Sequence, residues 1–139
     1  MTRLTSPLAA AVALLLLFSS GTPARADEFT QKQLAEWRAA YMSVVAAGRA
    51  AFTDPTLGGS RNGVVCAQCH PNASNTHPET YPKFQQQLGR VAVLGEMINW
   101  CIRNPLEGTP LALDDPTMIA LEAYIHHERR GVPLAPGKH

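Results

Sequence analysis

Three residues stand close enough together to do shared chemistry: Cys66, Cys69 and His70, in the run Cys66-Ala67-Gln68-Cys69-His70. Two thiols three residues apart, followed directly by an imidazole, form the pattern of a covalent haem attachment site. Each thiol can add to one vinyl group of a haem to give a thioether. Both sulfurs then lie on one turn, and His70 reaches the iron from below, since neutral imidazole is a common haem ligand. Two other chemistries use similar residues. Zinc would need Cys66, Cys69 and a further ligand such as His77 in a tetrahedral set. A redox dithiol is expected beside a βαβ pattern, and none is present.

The third thiol, Cys101, is left over. In an oxidising compartment it has no partner once Cys66 and Cys69 are consumed. It is a buried core cysteine, an intermolecular disulfide former or a metal ligand. Its competitors for a second axial position are Met97, Met118, His77, His126 and His127. Met97 shares a helical face with Cys101 one turn earlier, and methionine commonly partners histidine in electron-carrying cytochromes c. Met118 is expected in the core. His77 follows His70 so closely that it would need a tight fold-back. His126 and His127 read as solvated residues near a helix end.

The elements that must position these residues are few. Of the 139 residues, 45% are hydrophobic, 17% are charged, and the formal net charge is +1. That length allows one small domain. The charge count excludes a polybasic nucleic-acid binder, and the apolar content excludes a disordered acidic tail. Residues 1–26 read as a secretory signal, with Arg3, an apolar run over 8–18, and Ala24-Arg25-Ala26 at the cleavage position. The run is too short to span a bilayer comfortably. Cleavage after Ala26 would leave a periplasmic domain over 27–139, without an integral membrane segment and with a formal charge of −1.

Within that domain, a first helix is expected over 30–52. Thr30 with Gln33 suits a capping box, and Leu34, Trp37, Tyr41, Val44, Val45, Gly48 and Phe52 recur at helical steps as a core face. Gly48, unfavourable inside a helix, predicts close contact with another helix. Residues 53–84, with Pro55, Gly58, Gly59, Gly63, Pro71, Pro78 and Pro82, read as a long loop wrapped around a large cofactor. A second helix is expected over 84–103. Its stripe is Leu88, Val91, Leu94, Met97, Ile98, Cys101 and Ile102, and Asn104-Pro105 stops it. A third begins at Asp115 as N-cap with Pro116 behind it. It turns Met118, Leu121, Tyr124 and Ile125 inward and Glu122, Glu128 and Arg129 outward, and ends at Gly131 and Pro133. No strand is expected.

The order of these features resembles a class I cytochrome c. An amphipathic helix ends Gly48-Arg49-Ala50-Ala51-Phe52, the haem motif follows, and a last helix contains Leu121-Glu122-Ala123-Tyr124-Ile125. The resemblance implies an all-α fold of three main helices, with long loops around one covalently bound haem c. It also implies that the first and last helices cross at Gly48, with Phe52 and Tyr124 as structural residues. The second half is similar to a narrower branch, the haem domains of the Sox-system cytochrome subunit and of the periplasmic thiosulfate dehydrogenases. Carrying that likeness are Tyr81-Pro82-Lys83-Phe84-Gln85, Leu88-Gly89, Val93-Leu94, Ile98-Asn99 with Cys101, and Asn104-Pro105-Leu106-Glu107-Gly108. It covers most of 64–133. In that branch the residue matching Cys101 ligates the active-site iron, which implies His70/Cys101 ligation. One departure is Met97, which stands where the Sox subunit has an arginine that holds its anionic substrate. That puts charge-assisted anion binding in doubt and leaves Met97 as an alternative ligand.

Three functions follow as expectations. The first is a monohaem electron carrier between redox partner proteins. The alternative is the haem subunit of an enzyme oxidising thiosulfate or a related sulfur compound at Cys101. A ligand-binding haem sensor is the third, and it would need an easily vacated sixth position.

Overall fold

A computed structural model describes residues 29–134. The expected signal over 1–26 lies outside the described residues. The chain folds as α1 (Gln31–Phe52), a one-turn α2 (Cys66–Cys69), β1 (Lys83–Gln85), β2 (Arg90–Ala92), α3 (Leu94–Arg103) and α4 (Pro116–Glu128). No helix among the described residues is long and apolar enough to cross a membrane.

The frame is the crossing of α1 with α4. Thr30 Oγ1 accepts from Gln33 N at 3.2 Å, and Gln33 Oε1 accepts from Thr30 N at 2.9 Å, the reciprocal cap expected from sequence. Asp115 Oδ1 accepts from Thr117 N at 2.7 Å, with Pro116 at the first helical position. At the crossing, Gly48 leaves no room for a side chain. A Cβ there would lie 1.8 Å from the Ala120 carbonyl oxygen and 2.8 Å from Tyr124 Cβ. One turn on, the rings of Phe52 and Tyr124 pack with centroids 5.1 Å apart. Met118 and Leu121 are fully buried and join Ile98 and Ile102 of α3 in the core.

Three expectations need correction. Only Val45, Gly48 and Phe52 of α1 are buried, whereas Leu34, Trp37, Tyr41 and Val44 are exposed. For Leu34 and Trp37 the cause is length, whereas Tyr41 reaches α4, its hydroxyl donating to the Ala123 carbonyl at 3.4 Å, and is only partly covered there. At 1.5 Å per residue, the 22 residues of α1 span about 33 Å and the 13 of α4 about 20 Å, so α1 outruns its partner.

The second correction is the start of the second helix. Residues 83–92 are not helical but form an antiparallel hairpin, Lys83 facing Ala92 and Gln85 facing Arg90. Pro82 precedes it, and at its tip Gly89 takes φ +66 while donating to the Gln85 carbonyl at 2.8 Å. A left-handed residue suits a tight turn and breaks a helix. The helical spacing of Leu88 and Val91 with Leu94 therefore carried no structural meaning. The fold is mostly helical with one small sheet.

The third is the loop at 53–84, which is well structured. Short 3₁₀ turns occupy Leu57–Gly59, Pro71–Ala73 and Pro78–Thr80. Ser60 Oγ donates to the Leu106 carbonyl at 2.5 Å, and Asn62 Nδ2 donates to the Pro105 carbonyl at 3.0 Å. The loop is thus pinned to the end of α3.

Candidate functional site

The two motif cysteines sit on a single helical turn that side chains nucleate. Val65 N donates to Gln68 Oε1 at 3.1 Å, half of a capping box, and Val64 N donates to Asn62 Oδ1 at 3.0 Å. His70 ends the turn, donating its backbone N–H to the Cys66 carbonyl at 3.0 Å. Its ring Nδ1 lies 2.9 Å from the Ser74 carbonyl oxygen. A carbonyl only accepts, so Nδ1 carries the proton and Nε2 is left with its lone pair. A partner of this kind fixes the tautomer and orientation of a metal-binding imidazole. The Ser74 carbonyl gave no signal in the sequence, because any residue supplies one.

Cys66, Cys69 and His70 face a cavity of about 450 Å³. Its apolar lining comes from Phe52, Leu94, Ile98, Leu106, Leu121 and Ile125, contributed by α1, α3, α4 and the loop after α3. Cys101 and Met97, one turn apart on α3, both line it, and so does His77. The remaining expected competitors do not. Met118 is buried in the core, His126 is exposed, and His127 packs against the Tyr41 ring with centroids 5.9 Å apart.

Electrostatics matches this geometry. The lining contains Lys83 and imidazoles but no carboxylate. Burial pushes the Cys66 thiol up to about 11, helped by the nearby Cys101 and Cys69 sulfurs. Burial also pushes Cys101 up to about 11, with Cys69 adding to it. Left to the protein alone, both thiols are protonated at neutral pH and poor nucleophiles. Tyr81 is pushed up to about 12 by burial and then by Cys101; its oxygen accepts from Gln85 Nε2 at 2.8 Å, and Lys83 Nζ stands 5.0 Å from its ring centroid.

Asn99, on the matched run but given no role from sequence, ties α3 to the loop that follows it. Its side chain donates to the Leu111 carbonyl at 2.7 Å and accepts from Leu111 N at 2.8 Å. This holds the loop after α3 back against the helix that carries Met97 and Cys101.

Residues 47–134 match the model of the SoxA/TsdA cytochrome c domain. The chain belongs to that family. A thiosulfate dehydrogenase from Allochromatium vinosum is 32% identical over 85 residues, 52% of this chain and 32% of its own. One from Stutzerimonas stutzeri is 30% identical over 113 residues, 71% of this chain and 37% of its own. The L-cysteine S-thiosulfotransferase subunit SoxA of Rhodovulum sulfidophilum is 26% identical over 119 residues, 84% of this chain and 40% of its own. The chain thus spans between about a third and two fifths of the length of these relatives.

A cytochrome c domain implies haem c, and the cavity's chemistry fits it. The walls are apolar, two thiols lie on one turn, and an imidazole is held with Nε2 free. A charged side chain of the right sign for the two haem carboxylates, Lys83, stands in the lining. The match to this family carries electron transfer as the coarse function of the domain.

Proposed function

We propose that this chain is an exported, periplasmic monohaem cytochrome that passes single electrons between redox partner proteins. The signal over 1–26, cleaved after Ala26, would deliver the domain of 27–139. Cys66 and Cys69 would hold one haem by thioethers, with His70 and Cys101 as its axial ligands. The observation that carries this reading is the convergence of Cys66, Cys69, His70 and Cys101 on one apolar cavity.

When bound, the group supplies a one-electron couple. The protein's share is to hold and insulate it. The Ser74 carbonyl orients His70 and raises its basicity as a ligand. The side chains of α3 and α4 would shield it from water, and α3 would offer the Cys101 sulfur that lines the cavity. Cys101 would act as an anionic thiolate. An anionic donor stabilises the ferric state and lowers the potential relative to a thioether. Its own tendency in the protein is to stay protonated, so metal coordination must drive the proton off, as binding to a metal does for thiols generally.

The test is spectroscopic. Purified protein should show a Soret band, and a haemochrome that stays with the polypeptide after acid–acetone extraction. Haem that extracts freely, or no Soret band, would refute the reading.

A second reading is favoured by the relatives' activities and by the position of Cys101 at the cavity wall. In it, the chain is the haem subunit of an enzyme oxidising thiosulfate or a related compound at Cys101. Turnover of thiosulfate with an artificial acceptor would support it, and its absence with haem-loaded protein leaves the carrier.

A further inference from the structure

His77 also faces the cavity, and the electron-carrier reading gives it no task. Its backbone sits at φ 48, ψ 52, a left-handed conformation unfavourable for a non-glycine residue. Its ring Nδ1 lies 3.0 Å from Glu79 Oε1. Nδ1 is thereby engaged, and Nε2 is the ring nitrogen left outside that hydrogen bond.

Glu79 is an unusual neighbour, because its side chain is only 5% exposed. Burial by itself would raise its pKa. The His77 hydrogen bond, its own backbone and the Arg129 guanidinium outweigh burial and hold the carboxyl below its usual value. Arg129, expected outside α4, instead folds back to place a terminal nitrogen 3.7 Å from Glu79 Oε1. The match is incomplete: Glu79 Oε2 and Arg129 Nε are buried and have no hydrogen-bond partner among the described residues. A buried carboxylate so poorly matched can stabilise a second positive charge, and the imidazole beside it is placed to carry one.

Resting on the haem reading above, we propose that His77 is a proton-binding site coupled to the haem, so that electron uptake is accompanied by proton uptake on its ring. The charged and titratable groups around it are Glu79 on its own turn, Arg129 at the end of α4, and Lys83 on β1. Tyr81, His70 and the three cysteines complete the cavity lining, with the haem carboxylates when the group is bound.

With a neutral ring, Arg129 and Glu79 cancel. With a protonated ring, the cluster carries one net positive charge. Reduction makes the iron one charge more negative, and so favours the protonated ring. The electron enters from the external donor, and the proton comes from water, to which the His77 side chain is 24% exposed. Hence the midpoint potential is flat while the ring is protonated in both states, falls with rising pH between the two titrations, and flattens again above both.

The experiment is a spectroelectrochemical titration of the haem-loaded protein over roughly pH 5 to 8. The wild type is expected to show a falling midpoint potential, with a limiting slope of about 59 mV per tenfold change in proton activity. His77→Gln, which can still donate to Glu79, is expected to flatten it with the Soret band unchanged. A flat wild-type potential, or a slope that survives His77→Gln and so belongs to the haem carboxylates, would overturn the proposal. A second readout does not depend on a variant. The His77 ring protons should titrate at higher pH in ferrous than in ferric protein, and equal midpoints would contradict it. Protein without a Soret band would end the haem reading itself. Haem-bearing protein with a flat potential ends only this coupling.

Discussion

The crossing of α1 with α4 and the part of the cavity wall built by residues 60–113 are stabilised in different ways. At the crossing, two helices with their own caps press backbone to backbone at Gly48. That part has short turns, a hairpin of two three-residue strands, a one-turn helix and the ten-residue α3 beside about 450 Å³ of space. Its order depends on hydrogen bonds from single side chains and on whatever fills the cavity. The difference teaches that one region is self-sufficient and the other is a receptacle.

The sharpest way to break this comparison is to remove the filler. Replacing both Cys66 and Cys69 with serine should leave little protein with a cooperative melt, by circular dichroism on the purified chain. A double variant that keeps native helix content and a sharp melt without haem would show that the wall needs no occupant.

At the crossing, Gly48→Ala should cost about 3 kcal/mol, the upper end of overpacking penalties, because the Ala120 backbone cannot yield to a Cβ without separating the helices. Urea titration measures it. In the wall, Asn99→Ala should cost about 2 kcal/mol, since it strands both backbone groups of Leu111. It should also loosen the loop after α3, read as faster amide exchange at Leu111. A loss at Asn99 equal to that at Gly48 would erase the distinction between the two regions.

The caps of α4 and α1 separate packed from unpacked helix starts. Asp115→Ala should cost about 1 kcal/mol, because α4 is packed along its length. Thr30→Ala removes a similar cap, yet should barely shift the global melt. The first turns of α1 are exposed and free to fray, and only Val45, Gly48 and Phe52 tie the helix to the core.

The same contrast explains how much was legible in the sequence. Thr30, Asp115, Pro116 and Gly48 act locally or through one backbone contact, so their types and positions foretold α1, α4 and their crossing. Cys66, Cys69 and His70 announced the site because the spacing is itself the chemistry. The exposure of Leu34 and Trp37 was hidden, since it depends on where α4 ends rather than on anything in α1. The hairpin was hidden because Leu88 and Val91 fall by chance at helical steps before Leu94, and the turn at Gly89 decides the matter. The Ser74 carbonyl behind His70 and the return of Arg129 to Glu79 are tertiary contacts without any periodic signature.

The family match covers residues 47–134 and so spans both regions, but only the wall carries the residues that distinguish a sulfur ligand. Met97 and Cys101 line the cavity from the same face of α3. The ligand choice is therefore the central claim at its most exposed. The near-infrared spectrum of the ferric protein tests it directly. With His70/Cys101 ligation, the weak charge-transfer band of methionine-ligated ferric haem is absent, and Met97→Ala leaves the spectrum unchanged while Cys101→Ala alters it. A methionine band in the wild type that vanishes in Met97→Ala and persists in Cys101→Ala would contradict the account.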